Sequence, residues 1–288
     1  AGTVTFLTAD TTGVVYNWVS TAFVSLRSGL SSSATNWWSW VAMGDYVIMS
    51  NRLDGNFKFD GTRLLPLGAV HISDMETTET WAGTGSADTT NFRQGTQGRL
   101  LTSTGAAVTG TRTPATPLDL LNGLLSAVDY NTTTARVQFD VYIDTAANVD
   151  TTNTYLRLGD VGDTAYFQLP ASSWGGLADG WNAISVARSV FAVTGAPVWS
   201  NIVKVTLSVD ATGASTVNVT WDDMYTLYAA VATMPACQYN ATWKNMFWGF
   251  RTTADPSDLM YSPVSAPDEW TATAVFPVDA ADGDQGRA

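Results

Sequence analysis

The sequence predicts an all-β protein. Charged residues make up 14% of the chain and hydrophobic residues 45%, and much of the remainder is Gly, Ser, Thr and Asn. This composition is typical of short strands joined by turns and differs from that of helical bundles, which are rich in Glu, Lys, Leu and Ala. Twelve Trp residues favour a well-packed β core or broad interfaces. Apolar runs of four to six residues between turn signals complete the pattern.

The first segment, residues 1–73, contains short strand-like runs. Asp54-Gly55 and Asp60-Gly61 mark turns because glycine accepts a positive φ, and both aspartates are expected to accept backbone hydrogen bonds. Strands are predicted at Thr3–Leu7, Gly13–Trp18, Ala22–Leu26, Trp37–Ala42, Tyr46–Ser50 and Phe57–Phe59.

The second segment, residues 74–230, shows cleaner period-two alternation. In ARVQFDVYID, the apolar positions Val137, Phe139, Val141 and Ile143 fall on one face of a strand. The stretches NIVKVTLSVD and STVNVTWDD alternate in the same way, which predicts a sandwich of antiparallel sheets with one buried and one solvated face each. A short helical turn is expected at Pro117–Val128, weakened by its internal glycine.

The third segment, residues 231–288, returns to the style of the first. Strands are predicted at Trp243–Gly249 and Leu259–Ser262. The layout is therefore a sandwich inserted in a loop of a second β domain, since an insertion whose ends lie together is tolerated easily. The alternative is three successive domains. The sequence argues against it, because neither junction has the Pro/Gly/Ser linker that commonly joins domains. The chain begins with Ala1, and we expect it to be trimmed or part of a longer protein.

Charge and hydropathy exclude several function classes. The net charge is −12, and the lysines are Lys58, Lys204 and Lys244. A chain without a basic stripe is not expected to bind nucleic acid specifically. No apolar run reaches the roughly 18 residues of a membrane-spanning helix, so no membrane span is predicted.

Part of the second segment resembles jelly-roll domains of the carbohydrate-binding-module and concanavalin-like kind. The opening METTETWAGTGSADTTNFRQGTQGRLL is similar to the first strands of that family. The later matches are Gly180-Trp181-Asn182, the stretch GAPVWSNI at 195–202, and Trp221-Asp222-Asp223-Met224. The resemblance implies that the inserted sandwich, residues 74–230, is a jelly roll.

The two flanks resemble β-propeller blades of tail, nozzle and neck proteins of tailed bacteriophages. A closed propeller needs about four blades of four strands, and these flanks supply two or three, so the fold class predicted is a partial propeller-like domain with an inserted jelly roll. The matches are Asp45-Tyr46, Asn51, Asp54, Lys58, Asp60-Gly61-Thr62, Leu67-Gly68, Tyr239-Asn240, Gly249, Asp255-Pro256-Ser257, Leu259, Tyr261-Ser262 and Pro267-Asp268-Glu269-Trp270.

The jelly-roll resemblance implies a structural Ca²⁺ at Asp222 and Asp223. An acid near the first strand, Asp74, Glu76 or Glu79, would join them, and Glu76 is the partner predicted. Hard cations take six to eight such oxygens. The alternative is that one Asp faces solvent and the other makes a turn hydrogen bond. No other cofactor is predicted.

Aromatic side chains of the second segment are candidates for stacking on sugar rings. Trp81, Trp174 and Tyr142 are the predicted glycan-binding residues, with Tyr130 and Tyr166 as further candidates. The alternative is that these rings fill the core or an interface, since the same fold hosts many functions.

The sequence does not predict an enzyme. Two acids facing each other across a cleft would be needed for glycoside hydrolysis, and nothing pairs the candidates Asp140, Asp144, Asp160 and Asp163. One His, His71, and one Cys, Cys237, lie near the two junctions of the insertion. A buried, inert thiol is the simpler interpretation of Cys237.

The function predicted is a structural component of a phage virion, in the tail, nozzle or head–tail junction. Its partners would be copies of itself and other virion proteins, held by buried aromatic and aliphatic area, with the jelly roll facing outward toward contacts or host surface glycans. The alternative is a secreted or surface carbohydrate-binding protein, extracellular and without enzymatic activity.

Overall fold

The computed structural model describes residues 7–31, 37–120, 135–227, 234–252, 257–264, 270 and 274–277. They divide into two compact units. One contains the described residues up to Ala69 and those from 234 onward, and the other contains the described residues from Val70 to Leu227. Much of the predicted helical turn at Pro117–Val128, together with Tyr130, Asp255 and Pro256, lies outside the described residues. The predicted domain boundaries, 73/74 and 230/231, and the identities of the domains stay predictions.

The N-terminal part of the first unit forms two antiparallel sheets. Three strands pair in the order β1-β2-β3, and four pair as the meander β4-β5-β6-β7. The bounds are β1 Leu7–Ala9, β2 Val15–Val19, β3 Ala22–Arg27, β4 Ser39–Met43, β5 Tyr46–Ser50, β6 Asn56–Phe59 and β7 Leu64–Pro66.

The two aspartates of the β5–β7 region differ in role. Asp60 Oδ1 accepts the backbone N–H groups of Thr62 and Arg63 at 2.9 and 2.7 Å, which confirms its role in the turn. Asp54 accepts the backbone N–H of Ser31 at 2.8 Å, so its backbone bond joins distant segments. The local turn is instead held by Asn51, whose Oδ1 accepts the N–H of Asp54 at 3.0 Å.

The second unit is a sandwich of two six-stranded sheets. One sheet has the order β10-β11-β19-β13-β16, with β8 also paired to β19, and the other has the order β17-β15-β14-β18-β12-β9. Three short 3₁₀ turns lie at Ala146–Asn148, Ala171–Ser173 and Arg188–Val190. The bounds are β8 Ala69–Ser73, β9 Trp81–Gly83, β10 Ser86–Asp88, β11 Gly98–Ser103, β12 Val108–Arg112, β13 Arg136–Ile143, β14 Tyr155–Gly159, β15 Tyr166–Pro170, β16 Gly180–Ala187, β17 Ala192–Thr194, β18 Lys204–Val209 and β19 Val217–Leu227.

One hydrophobic core joins the two sheets of the sandwich. The alternating apolar positions of β13 are all buried, as the sequence predicts, and they meet the apolar positions of β14 and β18 in a single cluster. Trp221 of β19 is fully buried and stacks on Phe139, with ring centroids 5.4 Å apart and planes at 26°. The predicted all-β class and antiparallel sandwich are therefore confirmed.

The C-terminal part of the first unit forms another four-stranded meander, β20-β21-β22-β23. The bounds are β20 Cys237–Trp243, β21 Met246–Thr252, β22 Asp258–Tyr261 and β23 Val275–Pro277. Phe247, Met260 and Cys237 of this sheet pack in one cluster with Ile48 and Met43 from the N-terminal part. The first unit is thus built from both flanks of the sequence.

The described strands of the first unit do not form a closed propeller. They make one three-stranded and two four-stranded sheets, fewer than the roughly four blades that closure requires. The partial propeller-like assignment is therefore supported only at the level of an all-β unit with antiparallel sheets. No helix in the described ranges is long and apolar enough to cross a membrane.

Candidate functional site

The outer face of the sheet that contains β14 and β15 carries aromatic and polar side chains. Leu156, Leu158, Phe167 and Leu169 point into the core, so the alternating residues of both strands point outward. The outward residues of this pair, and of the neighbouring strand β18, form what we call the Arg157 face: Tyr155, Arg157, Tyr166, Gln168, Lys204 and Thr206.

Arg157 is the centre of this face. Its guanidinium carbon lies 3.9 Å from the ring centroid of Tyr166 and 4.8 Å from that of Tyr155, so the cation contacts both phenol rings. Its Nε and Nη2 donate to Gln168 Oε1 at 3.1 and 2.7 Å, across the directly paired position of β15. The planar guanidinium is therefore held by two rings and one amide.

An acid in the β14–β15 turn completes the electrostatics of the face. Asp163 Oδ2 accepts from Lys204 Nζ at 2.5 Å, and Asp163 Oδ1 lies 3.7 Å from Arg157 Nη1. Asp163 has a φ of 54°, a conformation that Asp adopts more readily than most residues. Asp163 thus lies beside both cations of this face, Arg157 and Lys204, on a chain whose net charge is −12.

Gly159 makes room for the Tyr166 side chain. The two residues are directly paired across β14 and β15. A Cβ at position 159 would lie 2.5 Å from the Cβ of Tyr166, closer than carbon atoms can approach. Glycine is therefore required there for Tyr166 to keep its present place on the Arg157 face.

The predicted glycan-binding residues are dispersed over the sandwich. Trp174 is 7% exposed and packs edge-on against Phe139 and Trp221, with ring centroids 5.3 and 5.1 Å away. Its assignment as a sugar platform is therefore corrected, because both neighbouring rings and the core cover it. Trp81 is half-buried against the same core, and Arg99 lies over its ring at 5.9 Å.

Tyr142 projects from the opposite sheet. Its ring meets Trp181 edge to face at 5.7 Å, and the guanidinium of Arg93 lies 4.8 Å from the Trp181 ring. Tyr142 is partly exposed, so it stays a predicted ligand-binding residue. It belongs to a second aromatic group, separated from the Arg157 face by the core of the sandwich.

The predicted calcium ligands Asp222 and Asp223 lie in β19, where the strand bulges opposite β13. Asp222 is fully buried, its Oδ2 accepts the N–H groups of Arg93 and Gln94, and its Oδ1 accepts the N–H of Asp223 at 2.7 Å. Burial raises the pKa of Asp222 well above its ordinary value, the charge of Asp223 adds to the rise, and the amide donors oppose it.

The third predicted calcium ligand, Glu76, is also engaged by protein donors. Its Oε1 accepts the N–H groups of Thr96 and Gln97 at 2.6 and 3.0 Å, and its Oε2 accepts the Thr96 hydroxyl at 2.7 Å. Both carboxylate oxygens of Glu76 are therefore occupied by protein donors. In the described part of the chain, Asp222, Asp223 and Glu76 do not form a converging group of ligand atoms. The calcium assignment stays a prediction.

The acids considered for sugar cleavage occupy separate structural roles. Asp144 accepts the N–H of Asn218 at 2.9 Å, Asp160 accepts the N–H of Thr164 at 2.8 Å, and Asp163 pairs with Lys204. Asp140 lies opposite Asp222 in the strand register. The absence of enzymatic activity stays a prediction.

Cys237 is buried in the first unit. Its Sγ lies 3.3 Å from Asn56 Oδ1 and 3.5 Å from Ser50 Oγ. Burial raises the pKa of the thiol to about 11, although the Ser50 hydrogen bond opposes the rise. A neutral thiol at this place agrees with the interpretation of Cys237 as an inert core residue.

Sequence reasoning considered Tyr166 but missed Tyr155 and Arg157. The signal was present in YLRLG and YFQLP, where Tyr, Arg and Gln occupy alternate positions between apolar residues. The pairing of the two strands, which brings Arg157 opposite Gln168, is not visible in either stretch alone.

Known proteins that resemble this chain are found among solved structures. No protein-family model matches the chain, and no curated protein matches it. Among solved structures, a family 11 carbohydrate-binding module of a cellulosomal cellulase of Clostridium thermocellum shows 10% identity over 57% of this chain and 96% of its own, with a TM-score of 0.39.

Two further solved structures show the same range of similarity. A family 30 carbohydrate-binding module of another Clostridium thermocellum cellulase shows 12% identity over 67% of this chain and 98% of its own, with a TM-score of 0.39. An exo-β-agarase shows 14% identity over 55% of this chain and 24% of its own, with a TM-score of 0.32. At these TM-scores the similarity carries no argument about ligands. The reported matches also give no support to the phage tail or propeller assignment.

Proposed function

We propose that the sandwich unit binds a carbohydrate chain through the Arg157 face, as a non-enzymatic binding domain. The observation that carries this proposal is the arrangement of Arg157 between the phenol rings of Tyr155 and Tyr166, tied to Gln168 on a partly exposed sheet face.

The chemistry of the face suits a sugar ring. A pyranose has flat C–H surfaces, which pack on aromatic rings, and a rim of hydroxyl groups that both donate and accept hydrogen bonds. The two tyrosines supply ring surface, Arg157 and Lys204 supply donors, and Gln168 and Asp163 supply acceptors. A few oriented polar groups among aromatic side chains are typical of small-ligand sites.

The face is also ordered before any ligand binds. Arg157 is fixed by Gln168 and both rings, and Lys204 is fixed by Asp163. A pre-organised donor array loses little side-chain entropy on binding, which favours affinity. Thr206, paired with Arg157 in register, lies beneath this array and is buried.

Affinity electrophoresis of the full chain in gels containing soluble polysaccharides tests the proposal, with a glycan array as a second readout. We expect retardation by at least one polysaccharide and a loss of affinity of about tenfold or more for Tyr166→Ala and for Arg157→Ala. The matched control is Tyr142→Ala, which removes a partly exposed tyrosine from the opposite sheet.

Two results would overturn the proposal. One is that no glycan is bound by the folded chain in either assay. The other is that binding is lost in Tyr142→Ala and kept in Tyr166→Ala, which would move the site to the opposite sheet. The virion role and its localisation stay predictions from the sequence, tested by whether the full chain forms closed rings in solution.

A further inference from the structure

We propose that His71, Asp74 and Glu79 form a binding site for a divalent transition-metal ion of the zinc class. The Nε2 atom of His71 lies 3.6 Å from Asp74 Oδ2 and 3.8 Å from Glu79 Oε1. One donor atom from each of the three residues lies within 4.8 Å of the others. All three belong to the sandwich unit, on or just after its first strand β8.

The spacing of the donors matches the coordination sphere of such an ion. Zinc takes imidazole nitrogen and carboxylate oxygen at about 2.0–2.2 Å in a tetrahedron, which places neighbouring ligands about 3.4 Å apart. The two separations from His71 Nε2 exceed this value by a few tenths of an ångström, and the two carboxylate oxygens lie within 4.8 Å of each other. Side-chain rotations that draw the two carboxylates together would complete a three-ligand site.

The donor types decide the class of metal. An imidazole nitrogen beside two carboxylates suits zinc and neighbouring transition ions, whereas Ca²⁺ and Mg²⁺ prefer oxygen ligands alone. This group is separate from the predicted calcium ligands Asp222, Asp223 and Glu76, which contain no nitrogen donor.

The two carboxylates of the cluster are almost completely buried, and one guanidinium contacts that of Glu79. The side chains of Asp74 and Glu79 are each 4% exposed. Arg112 pairs with Glu79 Oε1 at 3.0 Å and also donates to the carbonyl of Ile72. Two buried carboxylates therefore lie with one guanidinium beside the imidazole, and buried carboxylates are costly unless they are paired or coordinate a cation.

The local backbone holds the ligands in place. Glu79 Oε2 accepts from the Ser73 hydroxyl and from the N–H of Met75 at 3.2 Å, so Oε1 is left toward His71 and Arg112. Asp74 Oδ1 accepts the N–H of Glu76 at 3.3 Å, and Oδ2 is the atom nearest His71. Outer partners of this type orient metal ligands and sharpen affinity.

The test is titration of the full, tag-free chain with Zn²⁺ by calorimetry, after treatment with a chelator. His71 is the single histidine, so its ring signals in NMR spectra report on this cluster alone. We expect one Zn²⁺ per chain, a shift of the His71 ring signals on binding, and visible absorption bands of tetrahedral Co²⁺ when Co²⁺ replaces Zn²⁺. His71→Gln and Asp74→Asn are each expected to lower the affinity by about 100-fold or more.

Asp150→Asn is the matched control, because it removes one carboxylate charge in an exposed turn of the same unit. It is expected to leave Zn²⁺ affinity unchanged. Circular dichroism shows whether each variant is folded, and the NMR readout on the wild-type chain needs no variant. The proposal is overturned if Zn²⁺ does not shift the His71 ring signals in NMR spectra. It is also overturned if the folded His71→Gln variant binds Zn²⁺ with wild-type affinity, or if the His71 ring signals shift with pH but not with added Zn²⁺.

Discussion

The guanidinium carbon of Arg157 lies 3.9 Å from the ring centroid of Tyr166, on the neighbouring strand of the same sheet. Neither residue contributes to the core, yet each restricts the other on the outer face. This contact makes the face a defined surface, and it leads to the first prediction.

A double-mutant cycle between Arg157 and Tyr166 should give a coupling free energy of about 0.5–1 kcal/mol in stability, as expected for a cation–π contact at a partly exposed site. The measurement is urea unfolding of Arg157→Ala, Tyr166→Ala and the double variant. Tyr166→Phe keeps the ring and should keep most of the coupling. A coupling free energy of zero would show that the contact between the two side chains does not stabilise the folded protein.

Truncation of Phe139 should destabilise the sandwich strongly. Its ring is 2% exposed and contacts both Trp174 and Trp221. Phe139→Ala should cost about 3–5 kcal/mol in the free energy of unfolding, because it removes buried apolar surface and leaves a cavity. Val193→Ala, at a position 60% exposed, should change stability by less than about 0.5 kcal/mol. Similar losses for both variants would contradict the described core.

Asp88 should contribute a pH-dependent part of the stability. Burial by itself would raise its pKa, but hydrogen bonds from Thr220, Asn91 and Thr90 outweigh burial and hold the pKa below the ordinary value of 3.8. The folded protein therefore binds fewer protons than the unfolded chain, and this contribution is present above about pH 4 and is lost as the pH falls through the folded-state pKa.

Asp88→Asn should lower the free energy of unfolding at neutral pH by about 1–2 kcal/mol and flatten its dependence on pH below 4. Thr220→Val removes one of the donors, at 2.6 Å, and should show part of the effect. Urea unfolding between pH 2.5 and 7 is the measurement. If the free energy of unfolding of Asp88→Asn falls as steeply below pH 4 as that of the wild type, groups other than Asp88 cause the pH dependence.

Cys237 should be inert in the folded protein. Its thiol is fully buried and its pKa is raised to about 11. Reaction with a disulfide reagent at pH 8 should be slower by about 100-fold or more than in the urea-unfolded chain, because the thiolate is both scarce and inaccessible. As the folded pKa lies above the ordinary value of 9.0, the stability contribution of this thiol falls as the pH rises beyond 9. Equal rates in both states would place the thiol at the surface.

Local patterns predicted the strands well where one face is buried. In β13 the alternation of apolar residues foretells which side chains enter the core, since a strand has a strict period of two. Around β18 the same pattern predicts Val203, Val205, Leu207 and Val209 on the apolar face. The last three are fully buried and Val203 is half-buried, but Thr206 and Ser208 are buried as well. The alternation of residues in a strand predicts which face is apolar. It does not predict whether other parts of the chain cover the polar face.

Aromatic residues illustrate the limit most clearly. Trp174 was a predicted glycan-binding residue and Tyr166 only a further candidate, yet the structure buries Trp174 against Phe139 and leaves Tyr166 partly exposed. A bulge in β19 likewise takes Asp222 and Asp223 out of simple alternation, so that both are buried.

By itself, the sequence determined the all-β class, the positions of long sandwich strands such as β13, β18 and β19 and the alternation of their apolar residues, because these depend on residue period and turn chemistry over a few neighbours. Only the tertiary structure decided which side chains meet. Arg157 reaches Tyr166 and Gln168 through strand pairing, and Arg112 meets Glu79 across 33 positions of sequence. Such meetings depend on register and on packing between sheets, which no short stretch of sequence specifies.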